Sequence, residues 1–347
     1  MSKYKAALIG CGNRSRMHVN SYIHLKDASL IACCDLIEER RKSHEQEFGI
    51  KSYSDAYEMI DVEQPDIVHI VTQPAERAGL MHLVARLNVP VVIVEKPVTA
   101  GIADYRSLIK LEENSKTKFA VSHQFRWQKD LVKCQSALNS GRLGNILFME
   151  TSCGMNISNQ GTHILNYVLS LNNDSPVKMV FGNSSYMSNS DPTHPAPDHT
   201  EGYLIFENGV RALWNAGPTA PIIGDPSTTY QHCRMAAYAS KGRVLYEEFG
   251  KWEIVSKEGT EQGHVGDRQS WIDTNLLAQS KLTQACLDWM RDDSRVPGTN
   301  LKQSLHEFKV VLALYASSLE HRPIEIESFD PSLDLLEQLS IDLQETG

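Results

Sequence analysis

Up to about residue 122 the chain alternates short apolar runs with amphipathic stretches, and this alternation constrains the architecture more than any other feature. Each apolar run is strand-sized and must be buried on both sides, and the amphipathic stretches between supply the cover, so the pattern is that of repeated βαβ units around a parallel sheet. Strands are expected at residues 5–9, 29–34, 66–71, 91–94 and 118–122, and helices at 35–48, 75–87 and 102–115. The runs Ile67-Val68-His69-Ile70-Val71 and Val91-Val92-Ile93-Val94 are nearly continuous in apolar residues, as strands covered on both faces require.

After residue 123 the rhythm changes. A helix is expected at 129–139, a strand at 146–151 and a second helix from about Thr162. Strand-like runs then follow one another at 202–207, 210–215, 234–239 and 243–247, with Glu207-Asn208-Gly209 as a hairpin turn, which implies an antiparallel sheet. Helices at 275–291 and 301–320 are expected to cover one face of that sheet, and 188–200, rich in Pro, His and Asp, reads as a loop. With 347 residues the chain exceeds one ordinary core. The expected division is 1–122, 123–330 and a C-terminal tail at 331–347.

The formal net charge of −9, with no local run of Lys and Arg, argues against nucleic acid as a partner. The opening Met-Ser-Lys-Tyr-Lys leads into a strand-sized run rather than a signal peptide, and no stretch approaches the roughly 20 apolar residues that span a bilayer, so a cytoplasmic protein without membrane partners is expected. Seven cysteines, with Cys33 and Cys34 adjacent and no Cys-x-x-Cys pair, read as reduced core thiols.

The first strand runs into Gly10-Cys11-Gly12-Asn13-Arg14-Ser15 and then a helix. Two glycines stand where the backbone must turn tightly and approach a pyrophosphate, with Ser15 as a small residue in the place of a third. The following helix offers free amides and partial positive charge. Asp35 ends the second strand about 20 residues further on, where a carboxylate accepts both ribose hydroxyls. It would repel a 2′-phosphate by roughly 1–4 kcal/mol, which favours NAD over NADP; Arg40 and Arg41, a helical turn away, soften that preference if they reach back. Glu95-Lys96-Pro97 closes another strand, at the sheet edge where open α/β sheets bind ligands.

In order along the chain stand Gly10-x-Gly12, Cys34-Asp35, Thr72-Gln73-Pro74, Glu95-Lys96-Pro97, Gln124-Phe125-Arg126 and Gly161-Thr162-His163. In this the chain resembles the Gfo/Idh/MocA oxidoreductase family over nearly its whole length, most specifically at Glu95-Lys96-Pro97. The resemblance implies an α/β protein: an N-terminal Rossmann domain with a doubly wound parallel sheet, then a C-terminal α/β domain with an open, mainly antiparallel sheet through which homodimers or homotetramers form. It implies NAD held by Gly10, Gly12, Asn13, Arg14, Ser15, Asp35, Thr72, Gln73, Glu95, Lys96 and Gln124. Lys96, Arg126, Asn159 and His163 are the implied substrate contacts, with Lys96 and His163 catalytic beside the nicotinamide. The sequence departs from the family at Asn159, where many members have aspartate, and at Arg77, where a histidine is often found.

The chemistry makes sense on its own terms. Taking a hydride from a carbinol carbon requires the hydroxyl proton to leave, so a base near neutrality is needed; a lysine starts at about 10.4 and is lowered by desolvation and by the positive nicotinamide. His163 opens an apolar helical pattern, where the helix dipole favours a neutral imidazole. The expected activity is NAD-dependent oxidation of a ring hydroxyl of a sugar, cyclitol or glycoside. An NAD-dependent glycoside hydrolase acting through transient oxidation and elimination is the alternative kept open by Asn159, which cannot relay a proton; a non-catalytic NAD- and sugar-binding regulator is the third reading. His194, Asp198 and His199 have a spacing a metal accepts, but no third ligand is in register, and no metal is expected. Tyr230, His232 and Arg234 are further candidate contacts for substrate.

Overall fold

The computed structural model describes residues 3–187, 196–220, 233–248, 250–264 and 266–345. They form two compact units: residues 1–127 with 275–305, and 128–274 with 306–347. The first unit alternates β1 (Tyr4–Ile9), α1 (Ser15–Ser21), β2 (Ala28–Cys34), α2 (Glu38–Phe48), β3 (Lys51–Tyr53), α3 (Ala56–Glu63), β4 (Ile67–Ile70), α4 (Pro74–Arg86), β5 (Val91–Val94), α5 (Ile102–Asn114) and β6 (Lys118–Val121). The strands pair in parallel in the order β3-β2-β1-β4-β5-β6. Strand order therefore reverses between β1 and β4, the switch point beside which doubly wound sheets bind ligands at their carboxyl ends. Every residue of β4 and β5 is buried, and each fully buried Val, Leu or Ile contributes about 1.5–3 kcal/mol.

The second unit opens with α6 (Lys129–Asn139), β7 (Ile146–Cys153), α7 (Thr162–Leu171), β8 (Val177–Ser185), β9 (His199–Phe206), β10 (Arg211–Ala216), β11 (Cys233–Ala239), β12 (Gly242–Glu247), β13 (Lys251–Ser256) and β14 (Gly259–His264). Then come α8 (Arg268–Arg291), α9 (Leu301–Glu320), β15 (Ile324–Glu325) and α10 (Leu335–Glu345). Its nine-stranded sheet has the order β14-β13-β12-β11-β7-β10-β9-β8-β15. Neighbours are antiparallel except β7 and β10. α9 lies directly on this sheet: Leu314 fills the space where Cβ atoms at Gly182 and Gly202 would fall, and Ser317 and Ser318 accept from the Gly182 and Ser184 amides.

Three expectations are corrected. Only α9 of the two long C-terminal helices covers the antiparallel sheet; from Asn275 onward α8 belongs to the first unit, where Leu282, Cys286 and Leu287 pack with Ala6, Ile67, Val91, Ile93 and Ala120. The division at 122/123 accordingly becomes 127/128 with a returning segment, and the tail at 331–347 contains α10. Of the loop expected at 188–200, residues 188–195 lie outside the described residues, and His199 and Thr200 belong to β9. All seven cysteines are buried thiols. Among the described residues no helix is long and apolar enough to cross a membrane.

Candidate active site

β1 delivers the chain to Gly10, whose φ of +96° is one that side chains resist; a Cβ there would lie 2.4 Å from the Val71 carbonyl oxygen of the strand-end next door. At Gly12 no atom lies within 4 Å of where a Cβ would be, so the loop backbone stays open to a ligand. Ser15 is buried and locks the turn, its hydroxyl donating to the Gly12 carbonyl at 2.5 Å and bonding His44 Nε2 at 2.8 Å. Asn13 is exposed on the rim. Asp35 faces this turn from the end of β2: its Oδ2 accepts from the Cys11 amide at 2.7 Å and its Oδ1 from the Ile37 amide at 2.8 Å. Two backbone amides occupy two of its roughly four acceptor positions, and the rest are available to a diol. Arg41, expected on the helix face, reaches back to the carbonyls of Asp35 and Leu36 at 3.4 and 3.2 Å.

Thr72 and Gln73 follow β4, with Gln73 at the N-terminus of α4 and Pro74 its first residue. Buried Arg77 donates to the Thr72 carbonyl from Nε and Nη2 at 3.1 and 2.7 Å and to the Pro97 carbonyl from Nη1, clamping two strand-end turns together. Burial pushes this guanidinium down to about 10 against the attraction of Glu95.

Glu95, buried at the end of β5, is held on both oxygens. Its Oε1 accepts from Arg14 Nε at 2.7 Å and faces His18 Nε2 at 2.9 Å, and its Oε2 accepts from the Lys96 amide at 3.1 Å. Burial opposes its charge, but Arg14, His18 and Lys96 together outweigh that cost and hold the carboxyl well below the usual range. Lys96 follows, half-exposed, with a cis peptide to Pro97. Beyond β6 a 3₁₀ turn (Gln124–Trp127) carries Gln124 and Arg126; Arg126 Nη1 donates to the Gly298 carbonyl at 3.3 Å. The Gln124 carboxamide is fully buried, and neither its oxygen nor its nitrogen has a protein partner. Arg14 Nη2 is another buried donor without one. Such groups cost roughly 1–3 kcal/mol each unless a ligand satisfies them. An open glycine turn, a fixed ribose-type acceptor and two unsatisfied polar groups in one unit fit a bound dinucleotide.

In the second unit a π turn (Ile157–Gly161) leads into α7, all of whose residues are buried. His163 is its second residue. Asn159, one turn earlier, donates its backbone and carboxamide N–H groups to Asn156 Oδ1 at 3.0 and 3.1 Å, so it acts here as a donor. His199 is part of β9 and bonds Thr219 Oγ1 through Nδ1 at 2.7 Å. Arg234 is paired with Glu150 at 2.8 Å on the strand surface. His194, Tyr230 and His232 lie outside the described residues, among which no cluster of three metal-ligating side chains occurs. Sequence reasoning missed His18, His69 and Tyr22, which stand behind Glu95; the signal was a histidine interrupting the aliphatic run of β4.

Residues 4–123 match the GFO_IDH_MocA family model, described as "Oxidoreductase family, NAD-binding Rossmann fold". Among curated proteins the chain is similar to D-apiose dehydrogenase of Paraburkholderia graminis, with 34% identity over 145 residues, 42% of this chain and 38% of that protein. It is also similar to inositol 2-dehydrogenase of Salmonella typhimurium, with 25% identity over 150 residues, 42% of this chain and 44% of that protein. The matches thus span about two fifths of the length of these relatives. Among solved structures, an oxidoreductase from Agrobacterium radiobacter in complex with NAD⁺, L-tartaric acid and magnesium shares the fold, with a TM-score of 0.81 at 20% identity over 94% of this chain and 99% of that one. Residues 4–123, which hold the parallel sheet, are thus what this chain shares with the Gfo/Idh/MocA oxidoreductase family model.

Proposed function

We propose that the chain is an NAD-dependent dehydrogenase that oxidises a ring hydroxyl of a sugar, cyclitol or glycoside, with Lys96 taking the hydroxyl proton and His163 orienting the substrate. Bound NAD⁺ supplies the hydride acceptor. The observation that carries the reading is the fixing of Glu95: Arg14, His18 and the Lys96 amide hold its two oxygens, so the backbone that carries Lys96 is anchored at the strand end. The Glu95 charge favours the lysine ammonium and Arg14 offsets part of it, while desolvation and the nicotinamide charge lower the ammonium toward a working base. Asp35 holds the adenosine ribose and favours NAD, Thr72 and Gln73 flank the pyrophosphate, Gln124 satisfies its carboxamide on the coenzyme, and Arg126 and Asn159 contact substrate. Relatives named for apiose and inositol support a polyhydroxylated substrate.

The chain is further proposed to form homodimers or homotetramers through the open face of the nine-stranded sheet, which exposes Phe181, Leu213 and Tyr238. The activity is tested by incubating the protein and NAD⁺ with a panel of sugars, cyclitols and nitrophenyl glycosides. Sustained NADH accumulation is the expected result. Nitrophenol release without accumulation would show the redox-neutral hydrolase instead, and neither signal with NAD bound would show a regulator.

A further inference from the structure

Behind the dinucleotide turn runs a row of polar side chains set among aliphatic ones. His69 is the one polar residue of β4; His18 meets it from α1, and Tyr22 from the 3₁₀ turn (Tyr22–His24) that follows. His18 and His69 are buried. Tyr22 Oη lies 2.8 Å from His69 Nε2, His69 Nδ1 lies 2.9 Å from His18 Nδ1, and His18 Nε2 lies 2.9 Å from Glu95 Oε1.

The protons along this row have one consistent assignment. Ionised Glu95 can only accept, so His18 Nε2 donates. Burial lowers the proton affinity of His18 against the pull of Glu95, leaving a neutral ring whose Nδ1 accepts. His69 Nδ1 therefore donates. Burial and the neighbouring His18 keep His69 neutral too, so its Nε2 accepts from the Tyr22 hydroxyl, a phenol that burial raises and keeps protonated. The direction is uniform from tyrosine to carboxylate, and reversing one ring sets two donors or two acceptors against each other. A wholly satisfied buried network of this kind fixes orientation more firmly than any of its bonds alone.

We propose that Tyr22, His69 and His18 are positioning residues that fix the Glu95 carboxylate and, through it, the placement of Arg14 in the turn; this rests on the reading of that turn as the dinucleotide site. Oε1 of Glu95 is shared by His18 Nε2 and Arg14 Nε, so the carboxylate cannot turn without moving the guanidinium. The Nη2 donor of Arg14 is buried and unused by protein, so where Arg14 stands determines what the turn offers a phosphate-bearing ligand.

The test is NADH titration, by coenzyme fluorescence, of the wild type and paired variants. His18→Gln keeps an N–H near the Nε2 position and His69→Asn keeps one near Nδ1, whereas His18→Leu and His69→Leu fill space without donating. The donor-keeping variants are expected to bind NADH within about 3-fold of the wild type, His18→Leu at least ~10-fold more weakly, as for a hydrogen bond to a charged group, and His69→Leu about 5- to 10-fold more weakly, as for a neutral one. Tyr22→Phe, which keeps the ring and loses only the terminal donor, is expected to weaken binding about 2- to 5-fold and carries the test if a leucine variant does not fold. Equal affinity of leucine and donor-keeping variants, or of Tyr22→Phe and the wild type, would overturn the proposal. Failure of the wild type to bind NADH would instead overturn the dinucleotide reading, and the positioning role with it.

Discussion

A carboxylate held by two backbone amides is a rigid acceptor, and Asp35 owes its place to such a pair: Cys11 from the glycine turn and Ile37 from the start of α2. Replacing Asp35 with Ala is expected to narrow the preference for NAD over NADP, measured as the ratio of the two dissociation constants, by removing both a diol acceptor and a charge that repels a 2′-phosphate. Arg41→Ala should widen it, since that guanidinium sits on the Asp35 and Leu36 carbonyls; ratios unmoved by both changes would exclude this corner from the ribose site. The positions of Asp35 and Gly10 were legible in the sequence because what fixes them is local, in one case a strand end and in the other a backbone angle. The partners of Glu95 were not. Arg14 and His18 lie 81 and 77 residues away along the chain, and only the parallel pairing of β1, β4 and β5 brings them together.

At the scale of elements, the βαβ rhythm was legible wherever a strand is buried on both faces, as in β5, where sequence and structure agree at both ends. β3, three residues long, and β14, almost wholly exposed, carry too little apolar patterning to be read. The face that α8 buries was likewise hidden, since an amphipathic stripe says that a helix is covered and not by which sheet. One buried acid also went unnoticed. Glu248, after β12, accepts from Trp271 Nε1 at 2.9 Å; burial, against hydrogen bonds from Cys233 and Trp271, pushes its carboxyl up to about 7 from an ordinary 4.5. A raised folded-state value means the folded protein binds the extra proton, so this contribution is full below about 4.5 and is lost as pH rises through about 7. Glu248→Gln keeps an acceptor for Trp271 and cannot ionise. Denaturant unfolding near pH 5 and near pH 8 is expected to show the variant gaining on the wild type by up to about 3 kcal/mol; a constant difference would place the acid's titration elsewhere.

For the whole molecule, two units in the expected order were legible, while the return of residues 275–305 to the first was not, because no local signal marks a chain that crosses back. The open sheet face makes its own demand. Phe181 and Tyr203 stand opposite each other on β8 and β9, and Tyr203 stands opposite Leu213 on β10, forming an apolar row with Phe181 and Leu213 about half exposed. Leu213→Asp is expected to shift sedimentation from the proposed dimer or tetramer to the monomer without unfolding it; an unshifted profile would exclude this face from assembly. The proton-acceptor role proposed for Lys96 is checked by comparing Lys96→Met with the wild type on whichever substrate yields NADH. NADH affinity is expected to stay within a few-fold while turnover falls at least ~100-fold, the scale of general acid-base catalysis. Turnover close to that of the wild type would contradict it and remove Lys96 from the chemistry.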